Sequence, residues 1–245
     1  MNKISIKNIL LTILIIVFAG IFMCSLYKII IWKLNVDKNN SINKELNKEL
    51  IHKNNKYDIN LKKLKEKNND VIAYLKVNNT NINYVVVKTK NNSYYLKHNF
   101  NKEYNKAGWI FADYRNKFNG SDKNIIIYGH DTKDGSMFGS LKKVLNKDWQ
   151  QNKRNLKIKL ITEKKKYTYK VFSTYSIEPE EYYLTTAFNK KEDYYKFLST
   201  IKKRSNYDYK TLVNKTDKVL TLSSCIGRGE KRVVLHAKLI KEKNR

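Results

Sequence analysis

Cys225 closes an apolar, β-prone run, Val219-Leu220-Thr221-Leu222-Ser223-Ser224-Cys225, and a basic strand pattern from Lys231 to Ile240 follows within a few residues. The only other cysteine, Cys24, lies inside an uncharged N-terminal stretch, out of reach of Cys225. A lone thiol outside the cytosol tends to oxidise or cross-link, so one reason to keep it is that it reacts. The reacting species is the thiolate, and a free thiol of pKa about 8.5 is only a few per cent ionised near neutrality. A neighbouring imidazole must therefore take or share the proton, and a cation must steady the anion.

Four histidines are available. His130 is the strongest candidate. It follows the strand run Ile125-Ile126-Ile127-Tyr128 and Gly129, where a side chain is held rigidly yet exposed. His52 lies in a polar segment near the N-terminal apolar run and His98 in a Lys/Asn-rich loop, so both read as solvated. His236 shares a strand face with Arg232, Val234 and Lys238 and reads as a structural or surface histidine. Asp131 beside His130 reads as a loop residue, because sequence neighbours rarely reach the geometry of a triad. Arg232 opens the strand after the cysteine, and its planar fork of donors suits an oxyanion or a substrate carbonyl. The bland alternative is one surface arginine among 50 basic residues, and Arg228 in the intervening loop is a rival for the same role. Ser223 precedes Cys225 by two, which on a strand puts both on one face.

These groups need a scaffold. From about residue 70 short β-rich runs alternate with Asn, Asp and Gly clusters: Ile72–Val77, Tyr84–Lys88, Trp109–Phe111, Asn124–Tyr128, Leu156–Ile161, Tyr167–Ile177, Val219–Leu222 and Arg232–Ile240. Such punctuation predicts a mainly β sandwich or closed barrel, interrupted by helices at Met137–Leu145 and Lys191–Lys203. No repeat or flexible linker divides residues 70–245, which read as one domain.

Asn8 to Tyr27 carry no charge, and about 20 residues at 1.5 Å each cross a ~30 Å hydrocarbon core. A cleaved signal would have a shorter apolar region ending in a small-x-small site. The expected organisation is a cytoplasmic tail (1–7), a transmembrane anchor (8–32), a helical membrane-proximal segment (33–69) and an external domain (70–245). The lysines flank both ends of the span, so the positive-inside rule does not orient it. The short N-terminal tail makes an inside N-terminus the simpler arrangement.

The net charge of +28 is spread along the chain without a basic stripe or a nucleic-acid motif. It predicts attraction to anionic lipid and cell-wall polymers and no nucleic-acid partner. No Cys/His cluster has zinc spacing, and no phosphate loop, nucleophile elbow or calcium loop appears, so neither metal nor cofactor is expected.

The ordered segments resemble the class B sortases. Thr221-Leu222-Ser223-Ser224-Cys225 is similar to their TLxTC signature, with Ser224 for the usual threonine. Tyr128-Gly129-His130, with Lys133 to Phe138, resembles their histidine segment, and Arg232 to Leu239 their arginine strand. Asn79–Tyr84, Asn91–Leu96 and Phe111–Asn116 add further matches. The resemblance implies an eight-stranded closed barrel with N-terminal helices and a helix inserted between late strands. It implies Cys225 as nucleophile, His130 as acid/base and Arg232 at the oxyanion. It also implies that Asn92, Ser223 and Tyr183 line the substrate groove or support the site. The implied activity is transpeptidation: secreted proteins bearing a C-terminal sorting motif are cleaved and passed to a peptidoglycan amine. A pilus-type polymerising sortase, a thiol hydrolase and a non-enzymatic basic wall-binding module are the alternatives.

Overall fold

The computed structural model describes residues 6–53, 56–225 and 231–245, with residues 50–53, 56, 57 and 225 described through their backbone alone. Eight strands close into a barrel: β3 (Val71–Val77), β4 (Asn83–Val87), β5 (Phe111–Ala112), β6 (Asn124–His130), β7 (Lys157–Thr162), β8 (Lys165–Ile177), β9 (Val219–Cys225) and β10 (Arg232–Asn244). The order around the barrel is β10-β8-β7-β3-β4-β5-β6-β9, and β9 pairs back onto β10. The β4–β5 and β6–β9 pairs are parallel and the others antiparallel. Each strand run expected from the sequence is present, with ends moved by a few residues.

Two apolar layers flank the wall formed by β6, β9 and β10. Side chains alternate across a strand. Ile125, Ile127, Leu220, Leu222, Val233 and Leu235 belong to the barrel core. The opposite face is covered by a second cluster that includes Val219, Val234, Tyr175 and Tyr183. It also includes Tyr194, Phe197, Leu198 and Ile201 of the helix Lys191–Lys203. Those four lie at i, i+3, i+4 and i+7, one apolar stripe. Glu192 and Asp193 in its first turn and Lys202 and Lys203 in its last complement the helix dipole. This is the inserted helix expected between late strands.

The N-terminal region differs from expectation. One helix, α1, runs unbroken over Ile6–Leu46, and among the described residues it is the one helix long and apolar enough to cross a membrane. Its C-terminal half docks on the barrel through buried Val36, Asn39 and Leu46. Asn39 Nδ2 donates to the Gly108 carbonyl at 2.8 Å and Asn105 Nδ2 to Asn39 Oδ1 at 3.0 Å. A hairpin of β1 (Leu50–Lys53) and β2 (Lys56–Ile59) stands within the segment 33–69 that was expected to be helical. The short helix α2 (Leu61–Lys67) follows, capped by Asn60, whose side chain accepts the Lys63 N–H.

The expected helix at Met137–Leu145 is a 3₁₀ helix over Gly139–Leu145, followed by the helical turn α3 (Lys147–Gln151). Met137 takes φ 46°, the left-handed region, so no right-handed helix begins there. The helix Lys191–Lys203 is α4.

Candidate active site

Strand ends bring the three expected groups to one end of the wall. β6 and β9 run parallel with His130 opposite Cys225, about 4.8 Å apart as neighbouring strands are. β9 and β10 are antiparallel and stay paired up to Ser223 opposite Val234, two residues short of Cys225 and of Arg232, which opens β10 at the same end. Two residues along lies a second row, Tyr128, Ser223 and Val234, and two further a third, Ile126, Thr221 and His236.

His130 is oriented by backbone. Its Nε2 lies 2.8 Å from the Leu96 carbonyl oxygen. A carbonyl only accepts, so Nε2 carries the proton and Nδ1 is the nitrogen free to accept another. Gly108 makes room for the ring, and Gly129 for the core side chains behind the strand. Gly108, at φ 59°, is packed so tightly that a Cβ there would lie 2.4 Å from the Tyr95 carbonyl oxygen and 2.9 Å from His130 Cδ2. A Cβ on Gly129 would meet Ile110 Cδ1 at 2.4 Å and the Phe138 ring at 2.8 Å.

Arg232 is half-buried, with Nη1 3.5 Å from the Glu180 carbonyl and 3.4 Å from the Tyr183 hydroxyl. Tyr183 is fully buried, and its hydroxyl lies 3.0 Å from Ser223 Oγ. Ser223, Tyr183 and Arg232 thus form one contact set. Ser224 Oγ accepts the Val233 N–H at 2.8 Å, so its hydroxyl satisfies a buried donor where β9 and β10 part.

Asn92 is bonded to the segment after β5. Its amide donates to Asp113 Oδ2 at 3.0 Å and its oxygen accepts the Tyr114 N–H at 3.0 Å. Asp113 is a hub that sequence reasoning passed over. Its buried carboxylate accepts a fork from Arg115 (2.8 and 2.7 Å) and the Tyr128 hydroxyl at 2.8 Å. Arg115 also donates to the Leu184 carbonyl at 2.9 Å. Burial pushes the Asp113 pKa up, but the Arg115 and Tyr128 hydrogen bonds outweigh it and hold the group below the usual carboxylate range. The signal in the sequence was an Asp-x-Arg pair just after a short strand.

The remaining candidates are placed as follows. His236 is fully buried and structural, not a surface residue. His98 is half-buried, stacked on Tyr94 at 4.1 Å with Nδ1 2.7 Å from the Tyr94 carbonyl, rather than solvated. Asp131 is enclosed and ion-paired with Lys142 at 2.8 Å. A cavity of about 570 Å³ beside His130 is lined by Asp131, Lys142, Lys133, and Lys28 and Trp32 of α1. The His52 side chain and the whole of Arg228 lie outside the described residues.

The sortase domain family matches residues 75–240. The chain belongs to the sortase family of cysteine transpeptidases and resembles its class B members. It is 34% identical over 183 residues to sortase B of Listeria monocytogenes, covering 74% of each chain. It is 31% identical over 181 residues to sortase B of Staphylococcus aureus, covering 73% of each. Among solved structures, sortase B from Bacillus anthracis in complex with AAEK1 superposes with a TM-score of 0.76 at 33% identity, covering 85% of this chain and 99% of that one. A Staphylococcus aureus sortase B–substrate complex matches with a TM-score of 0.70 at 32% identity, covering 74% and 84%.

Proposed function

We propose that this chain is a membrane-anchored class B sortase. It cleaves a C-terminal sorting motif of secreted proteins through a Cys225 acyl-enzyme and passes the acyl group to a peptidoglycan amine. The observation that carries the reading is that His130, Cys225 and Arg232 stand at the same end of three adjacent strands.

In this reading the Cys225 thiolate attacks a backbone carbonyl of the motif. Arg232 donates to the tetrahedral oxyanion. Collapse breaks the C–N bond, and His130 Nδ1–H protonates the departing amine, leaving a thioester. The incoming amine then attacks the thioester and gives its proton to His130, and the thiolate leaves. The Leu96 carbonyl on Nε2 holds the ring in one orientation through both transfers. Tyr183 and Ser223 support Arg232 from the second row, and Asn92 braces the groove wall on Asp113. The α1 helix holds the domain at the outer face of the membrane, N-terminus inside.

The test is product analysis by mass spectrometry. Residues 33–245 are incubated with a sorting-peptide library, with and without an amine acceptor. Cleavage followed by acyl transfer to the amine supports the reading. Cleavage to the free acid alone points to a hydrolase, and cleavage by a Cys225→Ala protein contradicts the mechanism.

A further inference from the structure

Below the candidate site, the wall that carries it contains a line of buried polar groups to which the acyl-transfer steps above assign no role. Four adjacent strands each supply one: Tyr175 from β8, His236 from β10, Thr221 from β9 and Asn124 from β6. His236, Thr221 and Asn124 are wholly buried. His236 Nε2 lies 2.8 Å from the Tyr175 hydroxyl and Nδ1 2.9 Å from Thr221 Oγ1. Thr221 Oγ1 lies 2.6 Å from Asn124 Oδ1, and Asn124 Nδ2 donates to the carbonyls of Thr185 (2.9 Å) and Tyr183 (3.3 Å).

The directions of these bonds are forced. Asn124 faces two carbonyls, so its NH₂ points at them and its oxygen at Thr221. Thr221 has one hydroxyl proton and gives it to that oxygen. It must then accept from His236, so Nδ1 carries the ring proton. Nε2 is left bare and takes the Tyr175 proton. Donation therefore runs one way, from Tyr175 to the carbonyls of Thr185 and Tyr183, in and just after the short helix Tyr182–Leu184. That segment carries the Tyr183 hydroxyl, which contacts Ser223, two residues after Thr221 in β9, and Arg232, four residues before His236 in β10. Burial, with a smaller contribution from Arg204, pushes the His236 pKa down to about 3, so the neutral ring persists at working pH.

We propose that His236 is a positioning residue for acyl transfer: by fixing one tautomer in this one-way chain it sets the place of the Tyr183 segment, and through it of Arg232. The proposal rests on the sortase reading, in which Arg232 meets the oxyanion. His236→Phe keeps a planar ring, larger by about a methylene or slightly more, and breaks both links; the melts report the packing cost. A misplacement of the oxyanion donor acts on the chemical step more than on substrate binding.

The experiment compares wild type, His236→Phe, Thr221→Val, the double variant and Tyr183→Phe by steady-state transpeptidation of a cleaved sorting peptide, with thermal melts alongside. The expected result is a kcat lowered about tenfold or more in each single variant, with KM within about threefold. The double variant should be no worse than the poorer single one, because both cut the same chain. His236→Asn, which can still donate to Thr221, should recover part of the loss. Folded single variants with wild-type kcat, or losses that multiply in the double variant, overturn the proposal. If His236→Phe does not fold, ring ¹⁵N NMR of the wild-type histidine decides. A proton on Nδ1 and none on Nε2 from pH 5 to 8 supports the chain, and the opposite tautomer refutes it. A wild-type protein that turns over no sorting peptide defeats the sortase reading instead, while the NMR result still tests the chain.

Discussion

Replacing Asp113 by Asn removes the charge at the centre of the network that joins the groove wall to β6. The carboxylate side chain is 0% exposed while its partner Arg115 is 40% exposed, so the pair is buried on one side only. Asn cannot accept both prongs of the Arg115 fork, and its NH₂ faces a donor on whichever side it turns. A hydrogen bond to a charged group contributes about 1.5–3 kcal/mol, and breaking a wholly buried pair costs about 3–5 kcal/mol. Arg115 can rehydrate, which puts the expected loss between these figures, at about 2–3 kcal/mol. For a domain of this size that lowers Tm by roughly 5–10 °C. Urea unfolding of wild type and variant measures it.

The pH dependence is a sharper check. The folded pKa of Asp113 is depressed, so its stabilisation is present above the usual carboxylate pKa of about 3.9 and is lost as pH falls through the lower folded value. The gap between wild type and Asp113→Asn should be full from pH 5 to 7 and should close below about pH 4. A gap under about 0.5 kcal/mol at pH 7, or one that stays constant down to pH 3, would refute the reasoning.

Three further outcomes follow from the packing. Gly108→Ala forces a Cβ against the Tyr95 carbonyl and His130 at a positive φ, so the variant should lose at least 2 kcal/mol or so and most of its turnover; equal stability and activity in melts and peptide assays would contradict the contact. Ser224→Ala leaves the buried Val233 N–H without its acceptor and should cost about 1–3 kcal/mol, whereas Ser224→Thr keeps the oxygen and should be near neutral in chemical denaturation. Deleting residues 1–32 should leave Tm nearly unchanged, but deletion through Leu46 strips buried Val36, Asn39 and Leu46 and should cost about 3 kcal/mol or more.

Local patterning made the barrel legible: short β-rich runs between clusters of turn residues announce the strands one by one, and the stripe Tyr194, Phe197, Leu198 and Ile201 marks α4 just as plainly. The places of Cys225, His130 and Arg232 in the fold were legible because each sits at a strand terminus, a position sequence can locate. The hairpin at Leu50–Ile59 was not, since Leu46, Leu50 and Ile51 also fit a helical seam. At Asp113 the local pair with Arg115 was visible, but the links to Tyr128 and Asn92, 15 and 21 residues away, were not. The His236 chain was hidden because its partners lie far apart in sequence, Asn124 to Thr221 by 97 residues and Tyr175 to His236 by 61, so register alone unites them. His236 looked like a possible surface residue because the second apolar layer that buries it comes from a different stretch of chain.

The acyl-enzyme itself is the most direct test. Intact mass spectrometry of residues 33–245, quenched early with a cleavable sorting peptide and no acceptor amine, should show a protein heavier by the acyl fragment, located on Cys225 by digestion and released by hydroxylamine. Rapid peptide cleavage with no such adduct, or an adduct that persists in Cys225→Ser or on another residue, would contradict the account.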